Sequence, residues 1–207
     1  MLKRTKGRFL LTLLVITGFA GTVNNTAPTK EERKQAVDLL KDSKADLQKQ
    51  MKGLSKSQLD FKSSPGTWSI KECFFHIASV EQKSWNLIES AMKKPSQPRE
   101  RSKVLLTDDE LIKKLSADTE YIEAIDQLFQ AEADWKNIAE AHAAFKVART
   151  QHLKYIKNTT EDLRNHFVNM PFGTVDCYQF LLVIAAHSER HHEQIRQIIA
   201  DPAFPKK

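Results

Sequence analysis

Three histidines lie within six positions of the sequence HSERHHEQI at residues 187–195. His187 and His191 are four residues apart, so on a helix their imidazoles lie on one face, one turn apart. This is a standard spacing for two nitrogen ligands that share one divalent metal ion. Because two ligands alone hold such an ion poorly, a third is expected from another helix. His76, in an earlier segment of helical periodicity, is the strongest candidate.

The sequence does not match three other metal or cofactor motifs. A zincin helix would require a histidine where Arg196 stands. Glu189 and His192 form one half of the motif of di-iron bundles, but the sequence contains no second copy. A c-type haem is excluded because Cys-x-x-Cys-His is absent. We therefore expect His192 to be a bystander, as are three other histidines interpreted as ordinary surface or core residues: His142, His152 and His166.

A ligand histidine usually donates its second ring N–H to an acceptor that fixes its orientation. Glu72, one turn before His76, and either Gln194 or Glu193 could accept such a bond. The spacing from Ser69 makes a helix-capping role the better interpretation of Glu72. No residue stands at a spacing that identifies a general base, so the catalytic residues are unassigned.

Long helices must position these side chains, and several helix starts can be recognised. The Ser/Thr-x-x-Glu pattern lets two side chains satisfy backbone N–H groups reciprocally. It occurs at Thr29–Glu32, Ser69–Glu72 and Thr107–Glu110. Apolar periodicity predicts helices at residues 30–51, 70–92, 108–115, 131–159 and 175–200, the last capped by Thr174. After residue 115 the pattern leaves open either irregular structure or a second short helix.

These elements predict an all-α protein, a four-helix bundle. A chain of 207 residues can bury one good core, and only six glycines and seven prolines argue against a turn-rich β architecture. Functional sites in such bundles are made by side chains that project inward from facing helices. We place this domain at residues 28–202.

The N-terminus has the layout of a cleavable signal peptide, which we place at residues 1–22. The basic stretch MLKRTKGR is followed by the apolar run FLLTLLVITGFA and then by small and polar residues. The run is shorter than the roughly 20 residues that span a bilayer, so we expect no stable membrane insertion after cleavage. Removal of four basic residues lowers the formal net charge from +6 to +2, which argues against nucleic-acid binding. The predicted location is periplasmic or extracellular.

Two cysteines in an exported protein raise the question of a disulfide. Cys73 and Cys177 both fall near the starts of predicted helices. If those helices are antiparallel, their starts are too far apart for a bridge. Two buried free thiols are therefore the favoured interpretation, with the disulfide as the alternative.

Two stretches of the chain resemble the DinB/YfiT-like superfamily. They are GTWSIKECFFHIASVE at residues 66–81 and FGTVDCYQFLLVIAAHSERHHEQI at residues 172–195. The resemblance extends over residues 30–200. It implies a four-helix bundle in which one metal-binding histidine lies on the second helix and a His-x-x-x-His pair on the fourth. These positions correspond to His76, His187 and His191, whereas His192 has no counterpart.

A three-histidine site leaves coordination positions open on Zn²⁺ or Ni²⁺, the ions we expect. The resemblance implies two chemistries on a small-molecule substrate, hydrolysis and transfer of a low-molecular-weight thiol. Export counts against thiol transfer, because such thiols are chiefly cytosolic. The alternative is a non-catalytic metal-binding or interaction bundle in which the ion is structural. The resemblance also implies a possible homodimer.

Overall fold

The computed structural model describes residues 27–129 and 135–206 of the chain. The fold is mostly helical, with one small hairpin before the last helix. The helices and strands are α1 (Lys30–Met51), α2 (Lys56–Asp60), α3 (Ile70–Met92), α4 (Asp108–Ala117), α5 (Thr119–Leu128), α6 (Ile138–Asn158), β1 (Phe167–Met170), β2 (Gly173–Asp176) and α7 (Cys177–Ile199). Short 3₁₀ turns cover Pro98–Lys103 and Leu163–Asn165.

The predicted capping boxes are confirmed at the starts of α1, α3 and α4. In each box the side chain of Thr29, Ser69 or Thr107 accepts a hydrogen bond from the backbone N–H three residues later. The glutamate at that position accepts a bond from the cap's own backbone N–H. These reciprocal bonds explain why the three helix starts could be read from the sequence.

The four long helices, α1, α3, α6 and α7, form the bundle. α1 packs against α6 and α7, and α3 packs against the same two helices. The first two long helices, α1 and α3, therefore lie diagonally across the bundle, and so do the last two, α6 and α7. This arrangement makes α3 and α7 direct neighbours, so residues far apart in sequence face each other.

The core consists of two apolar clusters, one on each side of a buried polar layer. The face predicted for the second long helix is confirmed, because all seven of its residues are buried: Ile70, Cys73, Phe74, Ile77, Val80, Ser84 and Ile88. Both cysteines are buried and free, so the thiol interpretation is confirmed and the disulfide is not formed.

Arg149 on α6 is the centre of the polar layer and is fully buried. Its guanidinium pairs with Glu81 on α3, donates to the carbonyl of Leu40 at 2.7 Å, and donates to Ser43 Oγ at 2.5 Å on α1. It also donates to Ser188 Oγ on α7 at 2.8 Å. One side chain thus joins all four long helices.

The mostly helical four-helix bundle is confirmed, but the sequence did not predict the strands at residues 167–176. These residues form an antiparallel hairpin in which Val168 pairs with Val175. The last helix begins at Cys177 rather than at residue 175, because Asp176, not Thr174, accepts the capping bond from the backbone of Gln179.

The third long helix begins later than predicted. Asn137 caps it, and Trp135 precedes it instead of lying on its face. Residues 131–134 of that prediction lie outside the described residues, as does the signal peptide predicted at 1–22. The question left open after residue 115 is answered by α5, a second short helix. Among the described helices, none is long and apolar enough to cross a membrane.

Candidate metal centre

The three predicted ligand histidines converge on one point between α3 and α7. His187 Nε2 lies 3.0 Å from His191 Nε2 and 3.3 Å from His76 Nε2. The first two histidines are fully buried, and the side chain of His76 is only 12% exposed. The one-turn spacing on α7 brings one pair together, and direct packing of α3 on α7 brings the third imidazole to them.

Asp126, which the sequence analysis did not identify, completes the cluster from α5. Its Oδ1 lies 2.8 Å from His187 Nε2, 2.9 Å from His76 Nε2 and 3.3 Å from His191 Nε2. The four donor atoms all lie within 4.8 Å of one another. This group of three imidazoles and one carboxylate could hold a metal ion.

A signal for Asp126 is present in the sequence of α5. Ile122 and Ile125 are its buried apolar positions, and Phe129, the residue that caps its C-terminus, is buried as well. Residue 126 falls at the helical spacing of that same face, so a carboxylate interrupts an apolar stripe. An acidic side chain in such a place requires a partner inside the protein.

The electrostatics of the cluster favour the neutral forms of His76 and His187 beside an ionised carboxylate. Burial, together with the neighbouring histidines, outweighs the attraction of Asp126 and lowers the pKa of His187 to about 3. Burial also lowers the pKa of His76. Burial opposes ionisation of Asp126, but its hydrogen bonds to the three histidines hold its pKa well below the usual value. Neutral imidazole and carboxylate are the forms that bind metal ions.

The hydrogen bond between His191 and Gln194 indicates whether a cation fits among the four donor atoms. His191 Nδ1 donates to Gln194 Oε1 at 2.7 Å, so the neutral form of this ring carries its lone pair at Nε2. That lone pair faces the Asp126 carboxylate, and two acceptors at this separation require a cation or a proton between them. The donor set therefore fits a metal ion.

Of the candidate orienting residues, only Gln194 bonds to a site histidine. Glu193 pairs with Arg196 instead. Glu72 completes the capping box of α3 and pairs with Lys62, so its predicted capping role is confirmed.

Trp68 forms an aromatic wall on one side of the cluster. Its ring stacks on His191 with a centroid separation of 5.6 Å and an interplanar angle of 6°. It also meets the edge of His76 at 5.0 Å. The residue is 40% exposed and immediately precedes the cap of α3. Two of the three imidazoles are thus held by an indole that also faces solvent.

A cavity of about 390 Å³ opens beside the cluster. Trp68, Asp126 and Gln194 lie on its wall, so it reaches the carboxylate of the cluster and the residue that orients His191. The remaining lining residues are all neutral: Ser63, Gly66, Thr67, Cys73, Gln197 and Ile198. A small molecule in this cavity would lie against Asp126, one of the four residues of the cluster.

Comparison with protein families identifies the family to which this chain belongs. The model of the DinB superfamily matches residues 39–195, which include all four residues of the cluster. The chain belongs to the DinB superfamily. A search of curated proteins found no match.

The DinB assignment agrees with a solved structure that shares the fold. YfiT from Bacillus subtilis matches with a TM-score of 0.58 and 14% sequence identity, over 83% of this chain and 88% of that one. YfiT is described as a probable metal-dependent hydrolase with an unusual four-helix bundle topology. At this identity the similarity establishes the fold alone.

The other histidines of this DinB chain lie apart from the cluster. His192 is buried and bonds to Glu189 at 3.1 Å. His152 bonds to Glu81 in the polar layer, and His142 stacks on Phe74. The remaining one, His166, bonds to two backbone carbonyls, those of Asp162 and Lys94.

Proposed function

We propose that the protein is a metal-dependent hydrolase that acts on a small uncharged ester or amide. The observation that carries this proposal is the convergence of three Nε2 atoms beside an open cavity, with His76, His187 and His191 as the ligands. Such a donor set suits Zn²⁺ or Ni²⁺. When bound, a divalent ion supplies Lewis acidity, which lowers the pKa of water toward neutrality and polarises a carbonyl group. The description of YfiT supports the same chemistry.

The substrate class follows from the lining of the cavity. Ser63, Thr67 and Gln197 offer neutral hydrogen-bonding groups, while Trp68 and Ile198 offer apolar contact. Among the described lining residues, Asp126 alone is charged, so the cavity wall offers no cationic side chain that would bind an anionic group of a substrate. A flat, uncharged acyl compound that stacks on the indole matches this surface best.

Cys73 supports hydrolysis without a covalent thioester. It lies on the cavity wall, but burial and the charges of Glu72 and Asp126 raise the pKa of its thiol to about 12. The thiolate is the nucleophilic form, so this cysteine is inert near neutral pH. We do not favour thiol transfer, because the predicted export separates the protein from cytosolic thiols.

Hydrolysis of p-nitrophenyl esters and p-nitroanilides by the Zn²⁺-loaded or Ni²⁺-loaded protein tests the proposal. We expect turnover that a chelator abolishes, that His191→Ala removes, and that the control His142→Ala retains, since His142 lies outside the cluster. Hydrolysis that survives both chelation and His191→Ala would refute the assignment.

One observation favours the second candidate, a bundle in which the ion is structural. Asp126 offers a fourth donor atom, and structural zinc sites are commonly closed by four protein ligands. Under this alternative the loaded protein hydrolyses none of these compounds, and loss of the ion costs stability instead.

We also propose that the mature protein is exported to the periplasm or beyond. The basic and apolar stretches at residues 1–22 support this, and mass analysis of the mature N-terminus tests it. We further propose a homodimer that binds neither nucleic acid nor membrane, on the basis of the DinB relationship and the modest charge after cleavage. Light scattering measures the oligomeric state.

A further inference from the structure

The position of Asp126 distinguishes it from an orienting residue outside the coordination sphere. An orienting carboxylate usually accepts a bond from the ring nitrogen that faces away from the metal ion. Here Gln194 already occupies that position on His191, at Nδ1. Asp126 Oδ1 instead faces the Nε2 atoms of all three histidines. It therefore lies on the side where an ion would be held.

The separations fit a fourth ligand. Tetrahedral ligands at about 2.0–2.1 Å from an ion lie about 3.3–3.4 Å from one another. Asp126 Oδ1 lies 2.8, 2.9 and 3.3 Å from the three nitrogens. Two nitrogen pairs are separated by 3.0 and 3.3 Å. These five separations fall short of the tetrahedral value by at most about half an ångström, so small side-chain movements would form a tetrahedral set.

Asp126 is also the ligand that an incoming molecule meets first. Its side chain is 22% exposed, whereas His187 and His191 are 0% exposed. It lies on the cavity wall and comes from α5, a helix of ten residues outside the four-helix bundle. The histidines come from α3 and α7, which pack on each other in the core. Three ligands are thus held rigidly, and the fourth faces the space where a substrate would enter.

We propose that Asp126 is a fourth metal ligand that closes the site at rest and yields its position to a molecule that enters the cavity. An exchangeable coordination position on the metal ion rests on the proposed function and extends it, because a catalytic metal site needs such a position and a closed structural site lacks it. The carboxylate balances one charge of a divalent ion in the absence of substrate, and its departure leaves the three histidines in place.

Cobalt substitution tests this proposal independently of hydrolysis. Four-coordinate Co²⁺ absorbs visible light more strongly than five- or six-coordinate Co²⁺, so the spectrum reports the ligand number. We compare the full-length wild-type protein with Asp126→Ala, with Asp126→Asn, which preserves the side-chain shape, and with the control Glu123→Gln. Glu123 is an exposed acid on the same helix. Competition with a chelator measures the affinity for Co²⁺, and azide is the probe for an exchangeable position.

We expect both Asp126 variants to lose at least about tenfold in Co²⁺ affinity and to change the visible spectrum, because a ligand is lost. We expect azide to alter the spectrum of these variants at concentrations at least about tenfold lower than those needed by the wild type. The Glu123→Gln protein should match the wild type in every measurement.

The proposal fails if Asp126→Asn, folded as judged by circular dichroism, keeps the wild-type spectrum and Co²⁺ affinity. It also fails if the wild-type spectrum is unaffected by saturating azide, because the carboxylate then does not yield. A spectrum that responds as expected in a protein that hydrolyses nothing would leave this inference standing and remove the proposed hydrolase. A wild-type protein that takes up no Co²⁺ overturns both.

Discussion

Replacement of Arg149 by methionine should lower the free energy of unfolding by about 3–5 kcal/mol, which is the usual cost of removing one partner of a buried ion pair. The guanidinium is fully buried and neutralises Glu81, which is also fully buried. After the change, the carboxylate keeps its 3.0 Å bond from His152 and a long contact to Ser188 at 3.4 Å. Its charge is then uncompensated inside the core, where desolvation is most costly.

The same reasoning predicts that a second substitution restores stability. In the double variant Arg149→Met with Glu81→Leu, the core holds apolar groups in place of the pair. Such replacements are often neutral or stabilising, so most of the lost free energy of unfolding should return. Arg196→Met is the matched control, since Arg196 is 43% exposed and pairs with two surface glutamates. It should cost about 1 kcal/mol or less.

Urea unfolding of the metal-free proteins, followed by circular dichroism, measures these differences. Similar slopes of unfolding free energy against urea would show that the comparison concerns stability rather than a change in the unfolded state. If the Arg149→Met protein loses less than about 1 kcal/mol, or if the double variant is no more stable than it, then the buried pair does not have the energetic role assigned here.

Three further predictions concern acid stability, metal binding and the thiols. Burial would raise the pKa of Glu81, but Arg149 and His152 lower it to about 2. Up to about 3 kcal/mol of stability is therefore present above pH 4.5 and is lost as the pH falls toward 2. Urea titrations at several pH values should show this dependence of the free energy of unfolding on pH, and Glu81→Gln should weaken it. His76→Ala should abolish the rise in melting temperature produced by Zn²⁺, worth about 4 kcal/mol at a thousandfold excess over Kd, while its metal-free melting temperature stays near that of the wild type. A large loss without metal would show instead that the His76 side chain stabilises the bundle by its own contacts, apart from any ion. A thiol-specific reagent should not modify Cys73 or Cys177 in the native protein and should modify both fully in urea. The reason is that burial raises the pKa of each thiol to about 12. Rapid reaction of the native protein would contradict the burial of these thiols.

Local patterns explain what could be predicted from the sequence. The capping boxes depend on residues three positions apart, and His187 and His191 depend on one helical turn, so neither requires knowledge of the tertiary fold. The third candidate ligand could be predicted because the apolar periodicity around His76 identifies a long helix. Only the family resemblance indicated that this helix faces the last one.

The features that were missed depend on tertiary placement. Asp126 belongs to a short helix whose existence the sequence left open, and a single carboxylate in an apolar stripe does not indicate its partner. Trp68 lies before a helix cap, and its stacking on His191 requires that α3 and α7 be neighbours. The choice of Asp176 over Thr174 as a cap depends on the hairpin, which fixes the backbone through a bond from Cys177 N–H to the carbonyl of His166. Residue type alone allows either cap.

The histidine-rich run on α7 contains two pairs of residues that make different contacts. His187 and His191 face α3 and Asp126, whereas Ser188 and His192, one residue further in each case, lie about 100° around the helix. Ser188 accepts a bond from Arg149 in the polar layer. Every one of these four side chains is buried, which is why the run cannot be a solvated stripe. One helix therefore presents the face that carries the histidine cluster and the face that contacts the buried ion pair side by side. The bond from Arg149 to Ser188 helps to hold α7 in the rotation that brings the histidines together.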